Sequence, residues 1–170
     1  MSRPAGSQPR SSARIRRLHA EIVADGAATD GRYAVVEHHV PERTVTMPMH
    51  AFAREVATYY ALAGTITVAR GDDVVRLAPG ESLVVPPGES HAILVREGDG
   101  AGRDGSEPAR LLAVFAPAGV ERYYAEVEAS IAPTGVPDLP AILATSARHG
   151  IAVDMASLYD LVDRFGVHLV

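Results

Sequence analysis

The residues that could do chemistry lie between positions 50 and 91 of the 170-residue chain, where His50, Tyr59 and His91 stand among mostly apolar neighbours. An imidazole can act as a general base or bind a metal, and a tyrosine hydroxyl can donate a proton. The sequence contains no cysteine, which excludes thiolate nucleophiles and thiolate metal sites. All 16 basic residues are arginine, so the absence of lysine also excludes Schiff-base chemistry.

Short strands are predicted to position these side chains. Runs rich in Val, Thr, Tyr and Leu alternate with Gly, Pro and Asp turn residues, and no helical pattern interrupts them. About eight strands at such close spacing are typical of an all-β sandwich or barrel. The predicted strands are 33–40, 44–52, 58–63, 65–70, 73–77, 82–86, 91–96 and 110–115.

Helical spacing replaces this pattern after the last predicted strand. Apolar residues recur every three or four positions over 119–130, which predicts an amphipathic helix. A second helix is predicted from about residue 140 to Gly150. A third is predicted to be capped by Asp154 and to end at Gly166.

Composition and charge narrow the class of protein. The formal net charge of -5 and the scattered arginines argue against a nucleic-acid partner. No apolar run approaches the roughly 18 residues of a membrane span, so we expect no membrane partner. Residues 1–14 are rich in Ser, Pro, Arg and Gly and predict a disordered arm, without the apolar region of a secretory signal. We therefore expect a cytoplasmic protein.

Three segments resemble conserved parts of the cupins. Residues 80–91 read G-x5-P-x-G-x2-H, which is the second cupin motif. Residues 50–64 have the length of the first motif, H-x-H-x4-E-x6-G, and residues 117–124 are similar to the helix after the barrel in single-domain, quercetin-dioxygenase-like cupins. The resemblance implies a double-stranded β-helix (the jelly-roll cupin barrel) over residues 15–117, with a helical C-terminal extension over 118–170.

The metal ligands that the resemblance implies are incomplete. Cupins hold a metal with two histidines and a glutamate from the first motif and the histidine of the second. These positions carry His50, Phe52, Ala57 and His91 in the present chain. Two imidazoles fall short of the two-histidine, one-carboxylate set of non-haem iron and of the three ligands usual in catalytic zinc sites. We therefore expect no cofactor.

The alternative to a site without a cofactor is a divalent transition metal (Fe, Zn, Ni or Mn). Such a metal needs a carboxylate ligand in addition to the two histidines. Glu55 lies two residues from Ala57, so on a continuous strand it would be displaced by about 6.6 Å and only a loop could bring it back to His50 and His91. His38 and His39 are reserve ligands, of which strand alternation points only one inward.

Without a metal, the same positions predict a mostly apolar cavity inside the barrel. Burial would keep the imidazoles neutral and available as bases, and the apolar replacements of the lost ligands favour a ring-shaped, hydrophobic substrate. Alternatively, the two histidines are hydrogen-bonded within a filled core. The predicted catalytic residues are His50, His91 and Tyr59, and the predicted substrate-binding residues are Phe52, Ala57, Ala61 and Ile93.

Three functional classes follow from these residues. The first is an enzyme of specialised metabolism that isomerises, cyclises or eliminates by non-redox acid-base chemistry on a largely apolar metabolite. The second is a metal-dependent oxygenase of the quercetin-dioxygenase-like kind, and the third is a non-catalytic small-molecule binder. The first is our expectation, and because open sheet edges need covering we also expect a homodimer.

Overall fold

The structure is a computed structural model that describes residues 13–103, 105–131 and 138–169. Within these ranges no helix combines the length and the apolar character needed to cross a membrane. The described strands are β1 (Ala13–Ile15), β2 (Ala20–Ala24), β3 (Ala34–Val40), β4 (Thr44–Val45), β5 (Met49–Phe52), β6 (Val56–Ala63), β7 (Ile66–Arg70), β8 (Asp73–Leu77), β9 (Ser82–Val85), β10 (Ala92–Val95), β11 (Ala109–Ala116), β12 (Ile151–Asp154) and β13 (His168–Leu169). The helices are α1 (Val120–Ser130), α2 (Leu139–Arg148) and α3 (Ser157–Phe165), and a short 3-10 turn spans Arg16–Leu18.

Two main sheets form the barrel. Six strands pair in the order β1-β2-β3-β11-β6-β9, and five pair in the order β13-β4-β10-β7-β8. Neighbours such as β3 and β11 are far apart in sequence and antiparallel, as in a jelly roll. The predicted all-β double-stranded β-helix with a helical C-terminal region is confirmed.

Strict alternation within the strands separates core from surface. In β3 every second residue, from Ala34 to Val40, is buried, and the residues between them are partly exposed. Because successive side chains of a strand point to opposite faces, β3 sends His38 into the barrel and His39 outward. The outward His39 lies 3.4 Å from Glu37.

The predicted strand 44–52 is two strands, β4 and β5. Pro48 stands between them and has no N–H to donate to a ladder, which explains the break. Strand β10 also begins later than predicted, and His91 precedes it in an isolated bridge to His50. Of the predicted arm 1–14, residues 1–12 lie outside the described residues, whereas Ala13 and Arg14 belong to β1.

The C-terminal extension contains the three predicted helices, but it is not wholly helical. The predicted cap of α3 is wrong: Ala156 is its N-cap residue, and Asp154 ends β12 and accepts a hydrogen bond from the Ala156 N–H before the helix begins. Gly150 follows α2 with φ +71 and Gly166 follows α3 with φ +65, a conformation that favours glycine and ends each helix. Strand β12 then pairs with β5, and β13 pairs with β4. Each of the last two helices therefore returns the chain to the barrel.

Candidate functional site

A cavity of about 380 Å³ lies between the barrel and the C-terminal extension. Barrel strands contribute Phe52 and Ile93 to its wall, and α1, α2 and β12 supply much of the remainder. Val120 and Val127 from α1 are buried in the same core cluster as Phe52. The core is therefore not completely filled by barrel side chains, and the extension forms part of the cavity.

His50 and His91 are cross-strand neighbours. Each backbone N–H donates to the carbonyl oxygen of the other residue, at 2.9 Å in both directions. This pairing fixes the two side chains on one face, and their ring centroids are 4.4 Å apart. Both residues are buried.

His91 is hydrogen-bonded at both ring nitrogens. Its Nδ1 lies 3.0 Å from the carbonyl oxygen of Glu89, which can only accept, so Nδ1 carries the proton. Its Nε2 must then accept, and the Tyr59 hydroxyl donates to it over 2.7 Å. Tyr59 lines the cavity and His91 does not, so the imidazole lies behind the phenol rather than at the cavity wall.

Burial controls the protonation of this pair. Desolvation lowers the pKa of His91 and raises the pKa of Tyr59 well above its usual value, so both groups are neutral at physiological pH. The Tyr59 oxygen keeps lone pairs that do not take part in its bond to His91. The pair therefore presents a hydrogen-bond acceptor to the cavity, with a proton acceptor behind it.

His50 presents a second acceptor. Its Nδ1 donates to the carbonyl oxygen of Pro48 over 3.0 Å, so its Nε2 is unprotonated. Burial, followed by the neighbouring His91, lowers the pKa of His50 to about 3. His50 lines the cavity and is a neutral imidazole there.

A second phenol–imidazole pair was not predicted. The Tyr124 hydroxyl on α1 and Nε2 of His38 on β3 are hydrogen-bonded at 3.1 Å, and both residues line the cavity. Burial lowers the pKa of His38 to about 4 and raises the pKa of Tyr124. The helical spacing of α1 contained a signal for Tyr124, since it lies on the apolar face together with Val120 and Val127.

Two of the predicted substrate-binding residues do not line the cavity. Ala57 and Ala61 are fully buried but do not form part of its wall. On the adjacent strand β11, Ala61 is paired with Leu111, which does line the cavity. Strand alternation therefore placed the alanines on the buried face but not at the surface of the cavity.

The residues present do not fit the metal site of the family. The Tyr59 hydroxyl occupies Nε2 of His91, Phe52 packs against both imidazoles with ring centroids 5.3 Å from His50 and 5.8 Å from His91, and no carboxylate lines the cavity. Glu55 is buried, but its side chain lies 3.4 Å from Arg54 and near Gly119 instead. Among the residues that the structure describes, no group of three His, Asp or Glu side chains could hold a metal ion.

Comparison with known proteins identifies the domain. Residues 36–115 match the family described as Cupin domain. No curated protein sequence matches the chain.

Three solved structures illustrate the likeness. KdgF from Halomonas sp. is 16% identical, with 66% of this chain and 93% of that chain covered and a TM-score of 0.50. Pac13, described as a unique nucleoside dehydratase, is 17% identical, with 71% and 88% covered and a TM-score of 0.50. A Pac13 variant from Streptomyces with uridine is 17% identical, with 69% and 88% covered and a TM-score of 0.51. The likeness at these identities concerns the fold, and it agrees with the match of residues 36–115 to the family described as Cupin domain.

Proposed function

We propose that this cupin is an enzyme of specialised metabolism that catalyses a non-redox acid-base reaction, an isomerisation, cyclisation or elimination, on a small and largely apolar ring compound. The observation that carries the proposal is the Tyr59–His91 pair at the wall of an apolar cavity, 2.7 Å between oxygen and nitrogen, with the unprotonated Nε2 of His50 beside it. A cavity of about 380 Å³ is within the size range of small-molecule sites.

The pair can move a proton without a charged residue. The Tyr59 oxygen takes a proton from a C–H or O–H bond of the substrate while its own proton passes to Nε2 of His91. The electron pair of the broken bond stays on the substrate, where it shifts a double bond, closes a ring or expels a leaving group. Because burial lowers the pKa of His91, the imidazolium is short-lived, and the proton returns through Tyr59 to the substrate or to the leaving group.

His50 and His91 have different roles in this proposal. His50 lines the cavity and would accept a hydrogen bond or a proton from the substrate directly. His91 acts through Tyr59, holds the phenol in position and receives its proton. Pac13, described as a dehydratase, indicates that a cupin barrel can house an elimination, although a shared fold does not by itself transfer an activity.

A deuterium-exchange experiment tests the proposal. We expect the full chain to accelerate the exchange of the acidic C–H protons of a neutral bicyclic ketone that also carries a hydroxyl group, such as 6-hydroxy-2-tetralone, in D₂O, followed by NMR. Tyr59→Phe should lower the rate by about 10²–10⁴-fold, the usual effect of a lost proton-transfer group. Tyr60→Phe is the matched control, because the adjacent Tyr60 is exposed on the opposite face of β6.

A non-catalytic binder is the second candidate, and it is favoured by the same apolar wall. Tyr59→Phe would then hardly change affinity, because most of the contact area of the cavity is aliphatic and aromatic. If the wild type binds ligands but neither exchanges nor converts a neutral ring compound, the protein is a binder and not the proposed enzyme.

A further inference from the structure

Among the residues that the structure describes, no charged side chain lines the cavity. The chain has 16 basic and 21 acidic residues, yet the lining side chains are all aliphatic, aromatic, hydroxyl, thioether or imidazole groups. We infer that the ligand of this cavity is an uncharged ring compound that carries a hydroxyl group at the end nearest His50. The inference specifies the substrate class of the proposed function and rests on the cavity being its binding site.

The imidazoles of the wall do not supply the missing positive charge. Nδ1 of His50 donates to Pro48 and leaves an acceptor toward the cavity, and His38 is hydrogen-bonded to Tyr124. Protonation of His50 would place a cation next to the buried rings of His91 and Phe52. A carboxylate or phosphate ligand would therefore be buried without a cation, at a cost of several kcal/mol.

The buried carboxylates of Glu55 and Glu121 lie outside the cavity wall. The Glu121 carboxylate accepts hydrogen bonds from the backbone N–H groups of Gly26 and Gly119, and Glu55 faces Arg54. The two lining side chains most exposed to solvent are also apolar, Leu139 at 40% and Leu169 at 38%.

Hydrogen-bond polarity defines the end of the ligand near His50. Nε2 of His50 can only accept in its neutral form with Nδ1 protonated, and the Tyr59 proton is directed to His91. A ligand hydroxyl donates to such a site, whereas an ether or carbonyl oxygen does not. The remaining wall, including Phe52 and Tyr123, offers aromatic surfaces against which rings can pack.

Matched probes test the inference by isothermal titration with the full chain at neutral pH. We expect 2-naphthalenemethanol to bind, 2-(methoxymethyl)naphthalene to bind less tightly, and 2-naphthoate to bind more than about 100-fold less tightly than the alcohol, as the cost of burying an unpaired charge implies. Tight binding of 2-naphthoate, equal affinity for alcohol and ether, or binding of none of the three probes would overturn the inference.

An added cation provides a second test. Leu139→Arg places a guanidinium on the wall at a half-exposed position at the beginning of α2, where folding tolerates it, and should strengthen 2-naphthoate binding about tenfold. Val162→Arg on α3 is the matched control, because Val162 is equally exposed at 38% and does not line the cavity. Equal effects of the two variants would contradict the placement of the site.

Binding does not require turnover, so the two proposals can fail separately. If the alcohol is preferred but no neutral ring compound is exchanged or converted, the proposed enzyme is wrong and the ligand class stands. If 2-naphthoate is preferred, the ligand class is wrong, whether or not the protein is an enzyme.

Discussion

At the scale of single residues, a hydrogen bond between neutral groups lies where the resemblance to cupins implied a metal site. The Tyr59 hydroxyl donates to Nε2 of His91, so that nitrogen is already engaged. Phe52 fills the space beside both imidazoles, where a second histidine would stand. The site therefore contains a neutral phenol–imidazole pair instead of a charged metal ion. This pair is the chemical basis of the proposed acid-base reaction.

The donor set leads to a prediction about metal content. Purified protein should contain well under one equivalent of transition metal after mild dialysis, because His91 uses both of its ring nitrogens in other bonds and no carboxylate lines the cavity. Elemental analysis by mass spectrometry measures this directly. We also expect a chelator to leave the thermal unfolding midpoint unchanged. Stoichiometric iron, zinc, nickel or manganese would show that the side chains rearrange around an ion.

At the scale of elements, β12 connects the C-terminal extension to the candidate site. It pairs with β5 in a register that places Val153 opposite His50 and Ile151 opposite Phe52. Ile151 and Val153 also line the cavity. The direction of β12 depends on Gly150, whose φ of +71 turns the chain from α2 into the strand.

Gly150→Ala should therefore affect both stability and binding. We expect a loss of about 1–2 kcal/mol in the free energy of unfolding, because a side chain disfavours positive φ, and the new Cβ would lie 3.3 Å from Cβ of Ala53. Affinity for 2-naphthalenemethanol should also fall, since β12 forms part of the wall. Urea unfolding and isothermal titration measure the two quantities.

Gly71→Ala is the control for this prediction. Gly71 has φ +58 in the turn between β7 and β8, with open space around its Cα, and it does not line the cavity. Its substitution should lower stability by a similar amount and leave affinity unchanged. If Gly150→Ala also left affinity unchanged, β12 would have no part in ligand binding.

The elements that the sequence predicts are those with local signals. The period of two and the turn residues identified eight strand segments, and helical spacing identified α1, α2 and α3. Strand β13 has two residues and β12 has four, which is too short to show a period, and their pairing partners lie about a hundred residues away in the chain. The contact of Tyr124 with His38 spans 86 positions and joins a helix to a strand, so the pattern of neither element contains it.

A periodic pattern also does not predict how deeply a side chain is buried on the inward face. Alternation correctly predicted the inward faces of His50, Tyr59 and Phe52. It could not show that Ala57 and Ala61 lie outside the cavity wall, because that depends on the volumes of the side chains around them. Nor could it exclude Glu55 from the cavity, since its position depends on the bend before β6.

At the scale of the whole molecule, the two sheets end in open edges. Strand β9 ends the six-stranded sheet with Val84 exposed, and β8 ends the five-stranded sheet with Val74 exposed. Open edges with apolar residues favour association. We therefore expect a homodimer, measured by light scattering at micromolar concentration. A monomeric mass under these conditions would contradict this expectation.

The buried histidines make the stability of the whole protein depend on pH. Burial lowers the pKa of His50 to about 3 and of His38 to about 4, whereas each has a pKa near 6.5 in the unfolded chain. Below about pH 6.5 the unfolded chain binds protons at these residues and the folded protein does not. Stability is therefore fully present above this pH and falls as the pH decreases towards 4, by about 1.4 kcal/mol per pH unit for each histidine.

A histidine variant isolates one of these protons. In urea unfolding between pH 6 and 4.5, His50→Gln should reduce the slope of the unfolding free energy against pH by about 1.4 kcal/mol per unit, because one proton fewer is taken up on unfolding. Val153→Ala is the matched control, since Val153 lies opposite His50 in the β5–β12 register and does not titrate, so its substitution should lower stability and leave the slope unchanged. The slope is more informative than stability alone, because any core substitution can lower stability, whereas only loss of a titrating group changes the number of protons bound. An unchanged slope for His50→Gln would mean that His50 titrates in the folded protein as it does in the unfolded chain, which would contradict its burial as a neutral imidazole.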